Sequence, residues 1–213
     1  GEMDLVVDGI DHPALTRLSP LAAGLVNMEI SRGDGSLGTI LAVQGGLALR
    51  TLALFGSAAQ QERWLTALAD CSVLGSFALT EPEAGSDSAS VQTRAAKDGD
   101  AYVLNGSKRY ITNAPVAGLF TVMARTDPSI EGAKGISAFL VPAETPGLTV
   151  GKPDRKMGQR GALTADLFFE DCRVPATSII GGDPERGFAT AMKVLDRGRL
   201  HISAICVGRS EER

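Results

Sequence analysis

Three short segments of this 213-residue chain combine residue types that could do chemistry. The densest is Phe77-Ala78-Leu79-Thr80-Glu81-Pro82-Glu83-Ala84-Gly85-Ser86-Asp87. An apolar run passes through Thr80 into turn-forming residues. There Gly85 lets backbone amides approach a ligand closely, and Ser86 adds a hydroxyl and an amide at the same point. The competing reading is a strand that ends in an Asx-type turn, with Ser86 and Asp87 satisfying local amides. The second segment is Asn105-Gly106-Ser107-Lys108-Arg109-Tyr110-Ile111-Thr112-Asn113. After an Asn-Gly turn, a strand would put Tyr110 and Thr112 on one face, because side chains alternate with period 2. Tyr110 is then either a flat platform for a planar cofactor, with the Thr112 hydroxyl beside it, or an ordinary half-buried strand aromatic. The third is Asp196-Arg197-Gly198-Arg199. Positions 196 and 199 share a helical face, so they are either ligand contacts or a solvated charge pair worth a few tenths of a kcal/mol. A glycine such as Gly198 inside a helix costs up to about 1 kcal/mol relative to alanine, which implies that something close by needs the room.

These segments must be held by larger elements. Residues 1–72 read as helical. Leu21, Leu25, Met28 and Ile30 recur at near-helical spacing behind Ser19-Pro20, a helix start with proline at its first position. A second run from Gly35 to Gly56 carries only one charge, Arg50, and belongs inside a helical layer. Ser57 is the expected N-cap of a third helix bearing Trp64, Leu65 and Leu68. Residues 73–181 change period. Eight short β-rich runs (73–79, 90–96, 101–104, 108–112, 119–124, 135–141, 148–150 and 162–170) are divided by turn signals, among them Asp98-Gly99, Asn105-Gly106 and Pro146-Gly147. They predict a compact antiparallel sandwich or barrel. Residues 182–213 return to helix through Phe188, Met192, Leu195, Ile202 and Ile205, with Gly208 as the one stop signal. The final helix ends abruptly, as expected of part of a longer protein.

Composition excludes several function classes. At 44% hydrophobic and 22% charged, the chain can bury a core and is no disordered linker. Its 21 basic and 25 acidic residues give a net charge of -4, which argues against general nucleic-acid binding. No uninterrupted apolar run reaches about 18 residues, so no membrane span is expected. Gly1-Glu2-Met3-Asp4 does not read as a signal peptide. Cys71, Cys172 and Cys206 lack metal-ligand spacing, Cys71 reads as a small buried hydrophobe, and a reducing cytoplasm fits best. His12 and His201 are too few for a histidine metal site, so no metal is expected. Gly45-Gly46 lies mid-helix and is no dinucleotide fingerprint, and Glu170-Asp171 before Arg173 and Pro175 reads as a surface turn.

Taken together, these segments resemble the acyl-CoA dehydrogenase family. The residues that carry the resemblance run from Phe77 to Asp87, from Tyr102 to Lys108 and from Tyr110 to Asn113. It continues through Lys134 to Val141, Arg173-Val174-Pro175, Gly187-Phe188 and Leu195 to Arg199. Upstream, Glu29 to Ser36, Phe55-Gly56-Ser57 and Gln61 to Leu65 fit as well. The resemblance implies an α+β multidomain fold: an incomplete N-terminal helical domain (1–72), a middle antiparallel β-barrel (73–181) and the start of a C-terminal four-helix bundle (182–213). It implies a homotetramer or dimer.

The implied function is FAD-dependent α,β-dehydrogenation of an acyl-CoA thioester to the 2-enoyl-CoA. A glutamate takes the α-proton, the β-hydrogen leaves as hydride to flavin N5, and an electron-transfer flavoprotein accepts the electrons. Carried over position by position, Phe77, Ala78, Leu79, Thr80, Gly85 and Ser86 line the flavin and its phosphates, and Ser86 also touches the CoA chain. Tyr110 lies against the flavin where many relatives have tryptophan, with Ile111 in the same strand and Thr112 near N5. Asp196 and Arg199 match residues that contact acyl-CoA. A minority of the family place the base at the position of Gly198, which cannot serve, so the catalytic base is expected beyond Arg213. Gly45 and Gly46 either leave room for the acyl chain or allow close helix packing, and short to medium chains are the expected substrates. Two other readings stand beside this one: a same-fold oxidase or carrier-protein thioester dehydrogenase, and a catalytically inactive scaffold.

Overall fold

A computed structural model describes residues 7–8, 15, 17–130 and 132–210. The readings made on Gly1 to Asp4, on His12 and on the last three residues lie outside them. Helix α1 (Pro20–Gly33) starts where expected, with the Ser19 hydroxyl accepting from the Ala22 amide at 3.2 Å and Pro20 in the first turn. The long apolar run forms α2 (Gly35–Val43), a π-helical stretch at Gln44–Leu49 and α3 (Arg50–Phe55), ending at Gly56. This 21-residue helix is long and apolar enough to cross a bilayer by length and composition, contrary to the expectation that no such span exists. Its packing against α4 (Ala58–Ala69), β3 (Gly75–Ala78) and α5 (Gly187–Ser210) makes it the core helix of the helical layer. Helix α4 opens on a capping box: Ser57 accepts from the Gln60 amide, and the Gln60 side chain accepts from the Ser57 amide at 2.9 Å.

Two sheets differ in scale. Strands β1 (Val7–Asp8) and β2 (Arg17–Leu18) form a small parallel ladder. The seven others are β3, β4 (Arg94–Asp98), β5 (Ala101–Thr112), β6 (Leu119–Arg125), β7 (Ile136–Pro142), β8 (Leu148–Val150) and β9 (Thr164–Pro175). They run in the order β3-β6-β4-β5-β9-β8, with β7 also paired to β6. The sheet is mixed, not antiparallel as expected. Strand β6 pairs parallel with β3 through Leu119–Val122 and parallel with β4 at Arg125, so one edge of β6 is shared and the sheet curls there. Its strand order stays open, and of the expected four-helix bundle α5 alone is present among the described residues.

Eight predicted runs became seven strands because Asn105-Gly106 is a bulge within β5, not a turn. The register slips between Leu104 and Gly106, where φ is +144° and a Cβ would meet Thr93 at 2.8 Å. The real hairpin turn between β4 and β5 is Asp98 to Ala101, with Gly99 at φ +61°. Glu170-Asp171 likewise lies inside β9, with Asp171 at φ +48° and its amide donating to the Asn105 side chain across the bulge. Cys71 is exposed at φ +60° and Cys172 is the buried cysteine. Gly208 does not stop α5. A Cβ there would lie 2.1 Å from the Met28 carbonyl oxygen, so it is the point where α5 and α1 nearly touch.

One apolar cluster fills the curl of the sheet around Phe120, Phe139, Phe169, Leu104 and Leu167, with Tyr102 edge-on to Phe139 at 5.3 Å. A second joins sheet to helices through Leu49, Leu52, Leu65, Leu68, Met123, Ile136 and Ala191. The strand that leads into the first motif therefore rises between two packed layers.

Candidate functional site

The two β-region motifs meet side by side. Strand β3 and the end of β5 are joined by cross-bonds instead of a ladder. The Ser76 hydroxyl donates to the Thr112 carbonyl at 2.5 Å, the Arg109 amide to the Thr80 carbonyl at 2.8 Å, and the Asn113 side chain to the Gly75 carbonyl at 3.4 Å. Residues 77–80 thus run antiparallel to 109–112. Gln44, fully buried in the π-helical stretch, fixes the start of β3 from the helical side. Its amide donates to the Leu68 and Val73 carbonyls at 2.8 and 2.9 Å, and its oxygen accepts from the Gly75 amide at 2.5 Å. π-Helical stretches are rare inside α-helices and recur at functional sites.

Beneath the junction lies a buried ion pair. Lys108 is fully buried and Glu81 nearly so, with Nζ and Oε1 2.7 Å apart. Lys108 also donates to the Leu79 carbonyl at 3.2 Å, while the Glu81 carboxylate accepts from the Gln92 amide at 2.7 Å and the Thr93 amide at 3.0 Å. Burial pushes the Glu81 carboxyl up, but the Lys108 ammonium and these hydrogen bonds outweigh it and hold the group below its ordinary value. Burial brings the Lys108 ammonium down to about 8 against the pull of Glu81.

Above the pair, the backbone turns outward. A register slip in β5 between Lys108 and Ile111 leaves Tyr110 at φ +58°, its ring 61% exposed and the Arg109 guanidinium 4.8 Å from its centroid. A bulky residue in that region is strained by about 1–3 kcal/mol, and the exposed ring recovers little of it by burial. The Tyr110 amide donates to Asp166 at 3.3 Å. Thr112 is half-buried beside it, Ile111 points into the core, and Asn113 closes the strand at φ +65°. The face is therefore made by a bulge rather than by simple alternation. On the neighbouring segment Phe77 and Thr80 are half-buried, Ala78 and Leu79 are buried, and Glu81 and Ala84 exchange backbone bonds to form a tight turn. Gly85 and Ser86 follow on the exposed tip, and the space beside the Gly85 Cα is open.

Two other expectations resolve differently. Asp196 and Arg199 bond each other at 2.9 Å with side chains 70% and 72% exposed, so the structure gives them the geometry of a surface pair and does not bring them onto the loop. Gly198 makes room for Leu47, whose Cδ2 would lie 3.1 Å from an added Cβ. Gly46 would carry a Cβ 2.5 Å from the His201 ring, so it serves close packing of the π turn on α5 and offers no space to a ligand. Beyond Ser86 a cleft of about 630 Å³ opens, lined by Asp87, Ser90, Gln92, Arg94, Arg125 and Pro128 among others. The Arg125 guanidinium braces it by donating to the carbonyls of Ala89, Val91, Ile130 and Gly132.

Two family models match the chain: the acyl-CoA dehydrogenase N-terminal domain over residues 14–72 and the middle domain over residues 76–172. The chain belongs to the acyl-CoA dehydrogenase family. It is 47% identical over 191 residues to the human mitochondrial short-chain specific acyl-CoA dehydrogenase, which covers 90% of this chain and 46% of that protein. Among solved structures, butyryl-CoA dehydrogenase from Megasphaera elsdenii is similar with a TM-score of 0.85 and 39% identity, over 89% of this chain and 49% of that one. A glutaryl-CoA dehydrogenase from Mycobacterium smegmatis in complex with FADH2 gives 0.83 and 35%, over 90% and 47%. The chain spans about half the length of the curated relatives it matches.

FAD is the cofactor that this acyl-CoA dehydrogenase family implies, and the exposed residues fit it. An outward aromatic ring held against its own backbone preference offers a face for a flat heterocycle. The Thr80, Thr112 and Ser86 hydroxyls offer donors, and the open side of Gly85 admits a phosphate chain. Among the described residues no group of three acidic, cysteine or histidine side chains could hold a metal. Sequence reasoning identified these exposed residues but gave no role to Glu81, Lys108, Gln44, Ser76 or Asn113. Glu81 and Lys108 lay within the motifs themselves. No local signal marked them, because Lys108 stands between half-buried Ser107 and exposed Arg109, and Glu81 between half-buried Thr80 and exposed Pro82.

Proposed function

We propose that this protein catalyses FAD-dependent α,β-dehydrogenation of a short-chain acyl-CoA thioester and passes the electrons to an electron-transfer flavoprotein. The observation that carries this reading is the junction of residues 77–80 with 109–112, which puts Thr80, Tyr110 and Thr112 on adjoining backbone with Gly85 and Ser86 at its rim. When bound, FAD supplies the acceptor for the substrate's β-hydrogen. The work of this chain is to bind and orient. The Tyr110 ring would lie against the flavin, the Leu79 amide and Thr80 hydroxyl would hold its pyrimidine side, Thr112 would serve the N5 side, and Gly85-Ser86 would meet the pyrophosphate. Ser86 also touches the CoA chain, whose nucleotide end runs into the adjoining cleft, where the exposed Arg94 offers a charge to its phosphates.

Preference for a short acyl chain is supported by the named specificity of the human and Megasphaera relatives and by the packing that fills the space at Gly46. The resemblance to the family puts the carboxylate that takes the α-proton beyond Arg213, because the position that a minority of the family use is Gly198 here. Exclusion of water over the thioester strengthens the hydrogen bonds that stabilise the developing enolate. A homo-oligomer completes the reading.

The test is a visible spectrum of the full polypeptide, then anaerobic addition of butyryl-, octanoyl- and palmitoyl-CoA. An oxidised-flavin spectrum that bleaches with butyryl-CoA supports the reading. Bleaching only by the longer chains overturns the short-chain assignment. Peroxide formed in air at the rate of turnover replaces the dehydrogenase with an oxidase. Absence of flavin after FAD is supplied leaves an inactive scaffold.

A further inference from the structure

The loop that carries Gly85 and Ser86 is held along its far arm by the Arg125 guanidinium, at the Ala89 and Val91 carbonyls, and its two ends are joined by the Glu81 carboxylate. Its two ends, Glu81 and Gln92–Thr93, come together because Oε2 of Glu81 accepts from one amide and Oε1 from the next. The same Oε1 takes the Lys108 ammonium, and that ammonium also ties down the Leu79 carbonyl. The Arg109 amide then fixes the Thr80 carbonyl one residue further on. A buried ion pair is weak evidence for stability, because desolvation of both groups offsets most of their attraction. Apolar residues of the same volume would fill this space as well. They would not supply two acceptors for Gln92 and Thr93 and a donor for Leu79. The pair therefore has a purpose that packing does not account for.

We propose that Glu81, neutralised by Lys108, is the positioning residue that closes the 82–91 loop and sets how tightly the protein holds flavin and thioester. The inference rests on the flavin reading above and deepens it. Closure fixes the loop before either ligand arrives, so the ordering cost is not charged to binding. Glutamine at position 81 keeps one oxygen acceptor and loses the other, which leaves one of the Gln92 and Thr93 amides without its partner and loosens the base of the loop. Methionine at position 108 fills the lysine volume and removes the charge that glutamine would orphan.

The experiment compares wild-type full polypeptide, the double variant E81Q/K108M and the control Arg173→Met, which removes an exposed ion pair with Asp98 on the same sheet. Three readouts are taken: the Kd of the apoprotein for FAD, KM and kcat with butyryl-CoA, and amide hydrogen exchange at Gln92 and Thr93. The double variant is expected to raise the FAD Kd at least about tenfold, to raise KM more than it lowers kcat, and to speed exchange at both amides, with the control unchanged. An FAD Kd within about twofold of wild type while those amides exchange faster overturns the proposal, because the loop has then opened without consequence. A wild type that binds no FAD overturns the functional reading, and this inference with it. If the double variant is insoluble, exchange in the wild type decides. Gln92 and Thr93 must exchange far more slowly than the loop tip without FAD, and equal rates overturn the proposal.

Discussion

Two ion pairs of nearly equal length sit in the three segments that sequence motifs singled out, one joining the first two and one within the third. Lys108–Glu81 spans 2.7 Å and Arg199–Asp196 spans 2.9 Å. The first pair has side chains 0% and 4% exposed and joins three backbone segments, while the second lies in water and bonds only within one turn of α5. Distance therefore says little about an ion pair, and burial with further partners says nearly everything. The buried pair is part of the scaffold under the loop. The exposed pair is free to change partners when a ligand approaches, which is what a contact with acyl-CoA would need.

The comparison breaks most visibly at Lys108. Lys108→Ala leaves a buried carboxylate without its counter-charge and is expected to lower the unfolding free energy by about 3–5 kcal/mol, read from urea titrations. A loss below about 1 kcal/mol would make the buried pair no different from the exposed one. The pH dependence sharpens the point. The Lys108 group is lowered to about 8 in the folded chain, so the unfolded state binds more protons above that pH. Wild type is expected to gain stability relative to Lys108→Met as pH rises from about 8 towards 10.5. On the acid side, the Glu81 carboxyl is held below 4.5, and its contribution is lost as pH falls through its folded value. A flat difference between the two proteins from pH 7 to 10 would contradict the burial of an ammonium at position 108.

That pair also shows why the sequence disclosed some of the site and not the rest. The candidate site residues could be found because glycine, serine and threonine cluster there after an apolar strand. Most strand positions could be found because apolar runs stop at glycine and proline. Lys108 could not. In Ser107-Lys108-Arg109-Tyr110 a lysine beside an arginine reads as surface, and period-2 alternation would place Lys108, Tyr110 and Thr112 together. The register slip between Lys108 and Ile111 changes the parity, burying Lys108 and Ile111 and turning Tyr110 out. Asn105-Gly106 failed for the same reason. The dipeptide permits positive φ equally in a hairpin turn or a bulge, and only the distant partners Thr93 and Phe169 decide between them. The parallel β3–β6 pairing is likewise set by a strand some forty residues away, beyond the reach of any local pattern.

A second break is expected at Gln44. It belongs to the helical region yet fixes the start of β3, so it joins the two halves that the curled sheet and the helices form. Gln44→Leu keeps the volume and orphans the Leu68 and Val73 carbonyls and the Gly75 amide. At about 1–3 kcal/mol for an unsatisfied buried group, a loss of at least about 2 kcal/mol is expected in urea unfolding. Faster amide exchange should begin at Gly75 and extend to Phe77. A similar loss without altered exchange in β3 would show that the glutamine stabilises the helix alone and positions nothing.

The smallest effect on stability is expected at the exposed pair, and there the comparison turns from folding to binding. Arg199→Gln should change the unfolding free energy by less than about 0.5 kcal/mol, because an ion pair held in water gains little and loses side-chain freedom. Lys193→Gln, nearly two turns earlier on α5 and also exposed, is the matched control. If Arg199 meets the thioester's CoA portion as the family suggests, KM for butyryl-CoA rises severalfold in Arg199→Gln and stays put in Lys193→Gln, with FAD affinity unchanged in both. Glu81 and Lys108 act on both ligands through the loop, and Arg199 acts on one by contact. Equal KM values in the two arginine and lysine variants would return Asp196–Arg199 to the status of a solvated helical pair and leave the loop side as the binding face this chain supplies.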